Sequence, residues 1–168
     1  MNKNNLLKFL YNLNVAKAIT IVSVLTIPIL IFYLDFQVSY PMGKQWGQLA
    51  FIYYSLAIVL YAFLFSISHM KRSLFRKKLV TFTRIFIRFH VAIAIIGTLF
   101  VLFHASTMLY LLNSMNVTTT TGILTLLSLC GVLFTGYLRK LTSSGKRRRY
   151  HRYFAFLFFF FLIIHLFA

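Results

Sequence analysis

Four of the five histidines in the sequence form two matched pairs. His90 and His104 lie fourteen positions apart, and so do His151 and His165. On an α-helix, fourteen residues at about 100° each turn about 1,400°, only about 40° short of four full turns. Each pair therefore shares one face of its helix, with about 21 Å of axial rise between its members. Two such helices, running in the same direction and facing each other, would bring His90 to His151 and His104 to His165. Facing imidazoles at matched depth make a bis-histidine clamp for a flat macrocycle. The pattern thus predicts two stacked b-type haems, one iron held by His90 and His151, the other by His104 and His165. The midpoint of each stripe is Gly97 on one helix and Phe158 on the other. A small residue facing an aromatic ring would pack between the two haems. Haem propionates need donors. Arg147, one turn before His151 and on its face, is the first candidate, with Arg88 and Arg84 near His90. At the second level there is no arginine, only Lys44, and propionates there would lean on Asn113, Ser114 or the threonines 118–121.

Other metal chemistry fits less well. A structural zinc site wants four ligands converging at one point, and these pairs are separated by most of a membrane. A lone copper site would not need two histidine levels. The competing reading is that the histidines are interhelical hydrogen-bond glue. His69, beside Met70 and Lys71, reads as a headgroup-level residue. The chain has one acid, Asp35, which excludes paired-carboxylate catalysis and all-oxygen Mg or Ca sites. Its one cysteine, Cys130, excludes an internal disulfide, a CxxC redox pair and a thiolate zinc site.

The elements that must position these residues are membrane spans. Of 168 residues, 60% are hydrophobic and 11% charged, whereas a soluble domain is about half apolar and about a quarter charged. A spanning helix needs about 20 mostly apolar residues. Five segments qualify, at about 16–34 (broken by Pro28), 46–68, 85–112, 118–138 and 150–168. The second opens on Trp46 as an interfacial anchor. The third is longer than needed and should tilt or protrude. The fourth carries Gly122, Gly131 and Gly136. The first is read as a retained helix and not a cleaved signal, because FQVSYP is a poor cleavage site. No repeat of helix pairs is evident, and the phenylalanine run 158–161 is expected to face lipid. The reading is a single all-α integral membrane domain over 1–168, a five-helix transmembrane bundle with bis-histidine haem sites between its third and fifth helices.

Charge sets the expected orientation. Lys and Arg number 18 against one acid, a net charge of +17. Lys3, Lys8 and Lys17 precede or open the first segment. Lys71, Arg72, Arg76, Lys77, Lys78, Arg84 and Arg88 cluster before or at the start of the third. Arg139, Lys140, Lys146, Arg147, Arg148, Arg149 and Arg152 cluster between the fourth and fifth. Only Lys44 lies in an alternate loop. By the positive-inside rule the N-terminus is cytoplasmic and the C-terminus faces outward. These charges suit topology and anionic lipid headgroups, not nucleic acid. The richness in Asn, Lys, Ile and Phe suggests a bacterial plasma membrane.

The paired segments HVAIAIIGTLFVLFH (90–104) and HRYFAFLFFFFLIIH (151–165), joined through a return helix, resemble the ferric reductase-like transmembrane domain. So does the basic stretch GKRRRYHRYFA leading into the last of them. That superfamily includes ferric reductases, the membrane part of NADPH oxidases and the haem subunit of a bacterial methionine sulfoxide reductase system. The resemblance covers roughly 46–168. It implies two haem b groups, with His90 and His151 on the inner iron and His104 and His165 on the outer. It also implies transmembrane electron transfer as an oxidoreductase subunit more than as a self-contained enzyme. The family usually has six helices, and its reductase and oxidase branches carry a cytosolic FAD and NAD(P)H domain after the last one. The sequence stops three residues past His165. A separate flavoprotein or a quinol is therefore the expected donor, and ferric iron, oxygen or an exported redox protein the expected acceptor. A second resemblance, to the cytochrome b of quinol-oxidising bc complexes, has the histidine pattern but not the PEWY signature.

Overall fold

A computed structural model describes residues 12–33, 38–111, 115–142 and 144–168. Lys3, Lys8, Leu34, Asp35, Leu112, Asn113 and Ser114 lie outside the described residues. Within them the chain is helical, with five α-helices: α1 (Val15–Tyr33), α2 (Tyr40–His69), α3 (Leu74–Leu111), α4 (Val117–Leu141) and α5 (Gly145–Phe167). Helices α2 to α5 are each long and apolar enough to cross a membrane. Helix α1 is apolar over Val15–Ile27 and falls short of that measure among the described residues. Large apolar side chains stand exposed along the spans, among them Leu56, Leu99, Leu127 and Phe160. A soluble monomer exposes few contiguous apolar patches beyond a few hundred Å², but lipid is the natural solvent for such faces.

Capping decides where the helices begin. Asn14 accepts the Lys17 N–H at 2.9 Å. Ser39 accepts from Met42, with Pro41 in the first turn of α2. Ser73 accepts from Arg76 at 3.1 Å, Asn116 from Thr119 at 2.8 Å and Ser144 from Arg147 at 3.2 Å. Each short polar side chain satisfies an N–H that the first turn leaves unpaired. Hydropathy alone misses these starts: α2 begins at Tyr40 rather than 46, α3 at Leu74 rather than 85, and α5 at Gly145 rather than 150. At 38 residues α3 is about 57 Å long, against about 30 Å of hydrocarbon. The excess is its charged start, which bears Arg76, Lys77, Lys78 and Arg84.

The chain divides into two compact units, Met1–Leu111 and Leu112–Ala168. In the first, α2 and α3 form an antiparallel hairpin, and α1 packs on α3. Trp46 stacks on Phe100 and Phe103, Tyr53 meets Phe100 edge-on, and Phe63 meets Phe82 and Phe86. These contacts hold one antiparallel register along the whole pair. Tyr53 also bonds the Thr26 hydroxyl of α1. The expectation of Trp46 as a rim anchor is corrected: it is 7% exposed, because α2 starts a turn and a half before it. In the second unit α4 and α5 form another antiparallel hairpin. Its phenylalanine run does not simply face lipid, since Phe158 is 2% exposed and Phe160 is 59%.

Each hairpin is closed by the same kind of joint. Arg76 Nε donates to the Ile67 carbonyl at 3.2 Å, and Arg147 Nη1 donates to the Leu138 carbonyl at 2.6 Å. In each case an arginine three residues past the serine cap closes the last turn of the preceding helix. The sequence shows no repeat of helix pairs. The construction repeats although few residue identities do.

In α4, Gly131 lets Phe154 lie directly on the backbone: a Cβ there would stand 2.3 Å from the ring. Gly145 has open space around it. Gly131→Ala should therefore destabilise the second hairpin by about 1–3 kcal/mol through overpacking. Gly145→Ala should leave stability unchanged or slightly higher. Thermal melting of the detergent-solubilised variants checks both.

Candidate functional site

The four paired histidines are all half-buried, and all four are anchored through the same ring nitrogen. In the first hairpin, His90 Nδ1 lies 3.0 Å from the Ala57 carbonyl and His104 Nδ1 lies 2.8 Å from the Gly43 carbonyl. A carbonyl can only accept, so both rings carry their proton on Nδ1. In the second hairpin, His165 Nδ1 lies 3.2 Å from the Thr121 hydroxyl. His151 Nδ1 lies 3.3 Å from the Thr135 hydroxyl and 3.2 Å from the Val132 carbonyl. The Thr121 hydroxyl donates to the Thr118 carbonyl, and the Thr135 hydroxyl to those of Gly131 and Val132. A hydroxyl has one proton to give, so here too the threonine oxygen accepts and Nδ1–H donates. The neutral form of each ring then bears its lone pair on Nε2. Which ring nitrogen can take a metal is set by the bond the other makes.

The anchors have the spacing of the histidines. Gly43 and Ala57 are fourteen apart on α2, and Thr121 and Thr135 are fourteen apart on α4. Each of these threonines is followed by a glycine that clears room for the ring. A Cβ on Gly122 would stand 3.1 Å from His165 Cε1, and one on Gly136 3.3 Å from His151 Cε1. On α2, a Cβ on Gly47 would stand 2.9 Å from His104 Nδ1. The dipeptide Thr-Gly, repeated at 121 and 135, was the legible signal for this cradle, and hydropathy and histidine spacing alone pass over it.

The remaining candidates fall out differently. Gly97 is buried against Tyr53 and Tyr54 of α2, with a Cβ position 3.1 Å from Tyr53 Cβ. Its small size is thus accounted for inside the first hairpin, by the closeness of α2 and α3. Beside it the Tyr54 hydroxyl bonds Thr98 at 2.7 Å. Phe158 is buried and meets Phe159 edge-on. Arg147 binds the end of α4, through the Leu138 carbonyl and Thr142. It also lines a pocket of about 180 Å³ with Phe134, Thr135, Leu138, Tyr150 and Phe154. That pocket adjoins the His151 anchor through Thr135. Arg84 is exposed and Arg88 half-buried on α3. The Trp46 Nε1–H, buried beside Phe103, finds no acceptor among the described residues. His69 is exposed and bonds its own helix at Phe65 and neighbouring Ser68. Cys130 is free and exposed.

Among the described residues no three His, Cys, Asp or Glu side chains converge. The anchored imidazoles, with the lone pair on Nε2, suit axial ligation of a porphyrin iron. No protein-family model, curated protein or solved structure matches the chain.

Gly47→Ala should push the His104 ring off its acceptor and weaken that hydrogen bond, worth about 1 kcal/mol. In histidine-labelled protein the bonded Nδ1–H resonance of His104 should be lost, and those of His151 and His165 kept. An unchanged His104 signal would mean that the ring does not depend on the space at Gly47.

Proposed function

We propose that the chain is a two-haem b-type transmembrane cytochrome that carries electrons between the two faces of the cell membrane. The observation that carries this reading is the common anchoring of His90, His104, His151 and His165 through Nδ1. Imidazoles serving only as interhelical glue need no shared tautomer and no fourteen-residue spacing on both partners. Ligands do need the shared tautomer, because the second bond orients the ring and raises the basicity of Nε2.

In this reading His90 and His151 would hold the inner haem and His104 and His165 the outer one, as the helix spacing and charge distribution predict. When bound, haem supplies the one-electron ferric/ferrous couple. The protein holds the rings and keeps their protons on Nδ1. The apolar spans exclude water, and burial together with hydrogen bonding tunes potential. Arg147 keeps further N–H donors beyond the nitrogen bound to α4, and in this reading one of them would serve an inner propionate. The basic inner segments suit docking of an acidic-faced flavoprotein, with a quinol as the other donor class. The acceptor outside is ferric iron, oxygen or an exported redox protein, as in the ferric reductase-like family that the sequence resembles.

A haem-free scaffold is the second reading, favoured by the fact that each Nδ1 bond does join two helices. Spectra separate the two. The purified protein should show a sharp reduced low-spin α-band and two haems per chain. His104→Ala should retain one haem, the inner. Colourless protein from haem-replete cells would refute the cytochrome reading, and His104→Ala retaining both haems would refute the ligand assignment.

A further inference from the structure

We propose that Thr121 and Thr135 are positioning residues that set the reduction potentials of the two haems separately, Thr121 through His165 and Thr135 through His151. This rests on the two-haem reading. Both threonines are buried on α4, and each spends its hydroxyl proton on α4's own backbone. Their oxygens therefore face the imidazoles as acceptors, 3.2 Å from His165 Nδ1 and 3.3 Å from His151 Nδ1. Thr135 has a second reason to stay fixed: its proton is shared between the Gly131 and Val132 carbonyls, at 2.7 and 3.0 Å.

An acceptor on Nδ1–H pushes electron density toward Nε2. A more electron-rich ligand stabilises ferric over ferrous iron and so lowers the potential. The α3 histidines take acceptors from backbone carbonyls, at Gly43 and Ala57, which no substitution removes, and His151 likewise has the Val132 carbonyl at 3.2 Å beside the Thr135 oxygen. The threonine hydroxyls are side-chain acceptors. They are positions at which a change of one residue alters one ligand without moving a helix. Valine matches threonine in shape and lacks the acceptor, whereas serine keeps it.

The test is a redox titration of the full-length haem-loaded protein, following each haem by its optical band and its low-spin EPR signal. Thr121→Val should raise the midpoint of the outer haem and leave the inner one in place. Thr135→Val should raise the midpoint of the inner haem by a smaller amount, because the Val132 carbonyl stays on His151 Nδ1, and leave the outer one in place. Thr121→Ser and Thr135→Ser should match the wild type at both sites. Loss of the one predicted haem from a valine variant is the extreme of the same effect and supports the assignment. Midpoints indifferent to both valine substitutions would overturn this inference and leave the two-haem reading standing. So would equal displacement of both haems by either variant, or serine variants that behave like valine ones. A wild-type chain that takes up no haem would remove the reading and the inference together.

Discussion

An imidazole placed in a membrane helix has two ring nitrogens to satisfy, and hydrocarbon offers it nothing. Much of this chain follows from how that requirement is met. Each paired histidine gives its Nδ1 proton to the neighbouring helix of its own hairpin, either to a backbone carbonyl or to a threonine oxygen. A carbonyl inside a helix is already bonded to its i+4 amide, yet it has a second lone pair, and the ring must come close to reach it. That closeness excludes any Cβ at Gly47 and leaves little room for one at Gly122 or Gly136. The small residues of α2 and α4 thus follow from the polar bonds, and the tight helix contacts follow from the small residues.

The same solution is used twice. A serine cap, an arginine reaching back to the preceding helix, and two histidines on the returning helix of the hairpin occur in both units. The hairpins differ in length before the first histidine. His90 lies well into α3, while His151 is within two turns of the start of α5. The extra length in α3 carries charge and so extends beyond the hydrocarbon. An aromatic seam runs through the first hairpin from Trp46 through Phe100 to Tyr53, and in the second the Phe154 ring lies on the backbone at Gly131.

The helices were legible in the sequence because long apolar runs have few alternatives in water or lipid. Their starts were legible too, but through a different signal: Asn14, Ser39, Ser73, Asn116 and Ser144 mark them more closely than hydropathy does. Hydropathy discounts Lys, Arg and Gly, so it trims the charged beginnings of α3 and α5. The histidine stripes could be read from spacing alone, since helix periodicity is rigid. Their anchors could not, because an acceptor that is a backbone carbonyl leaves no mark in residue identity. Thr121-Gly122 and Thr135-Gly136 did leave one. Gly97 was legible as a close-approach position but not as to its partner: only the α2–α3 register puts Tyr53 and Tyr54 there. Trp46 shows the same limit from the other side, for its burial depends on Phe100 and Phe103 of α3, which only the α2–α3 register brings to it.

The direction of the Nδ1 bonds has a consequence for biogenesis. Each acceptor precedes its histidine in the chain: Ala57 comes before His90, Gly43 before His104, Val132 and Thr135 before His151, and Thr121 before His165. During synthesis a ring therefore always emerges with its orienting partner already made and, for spans inserted in order, already in the membrane. No histidine waits on a later segment to fix its tautomer. Neither ring of the first hairpin takes its acceptor from the second, so a half-inserted protein already presents two oriented imidazoles.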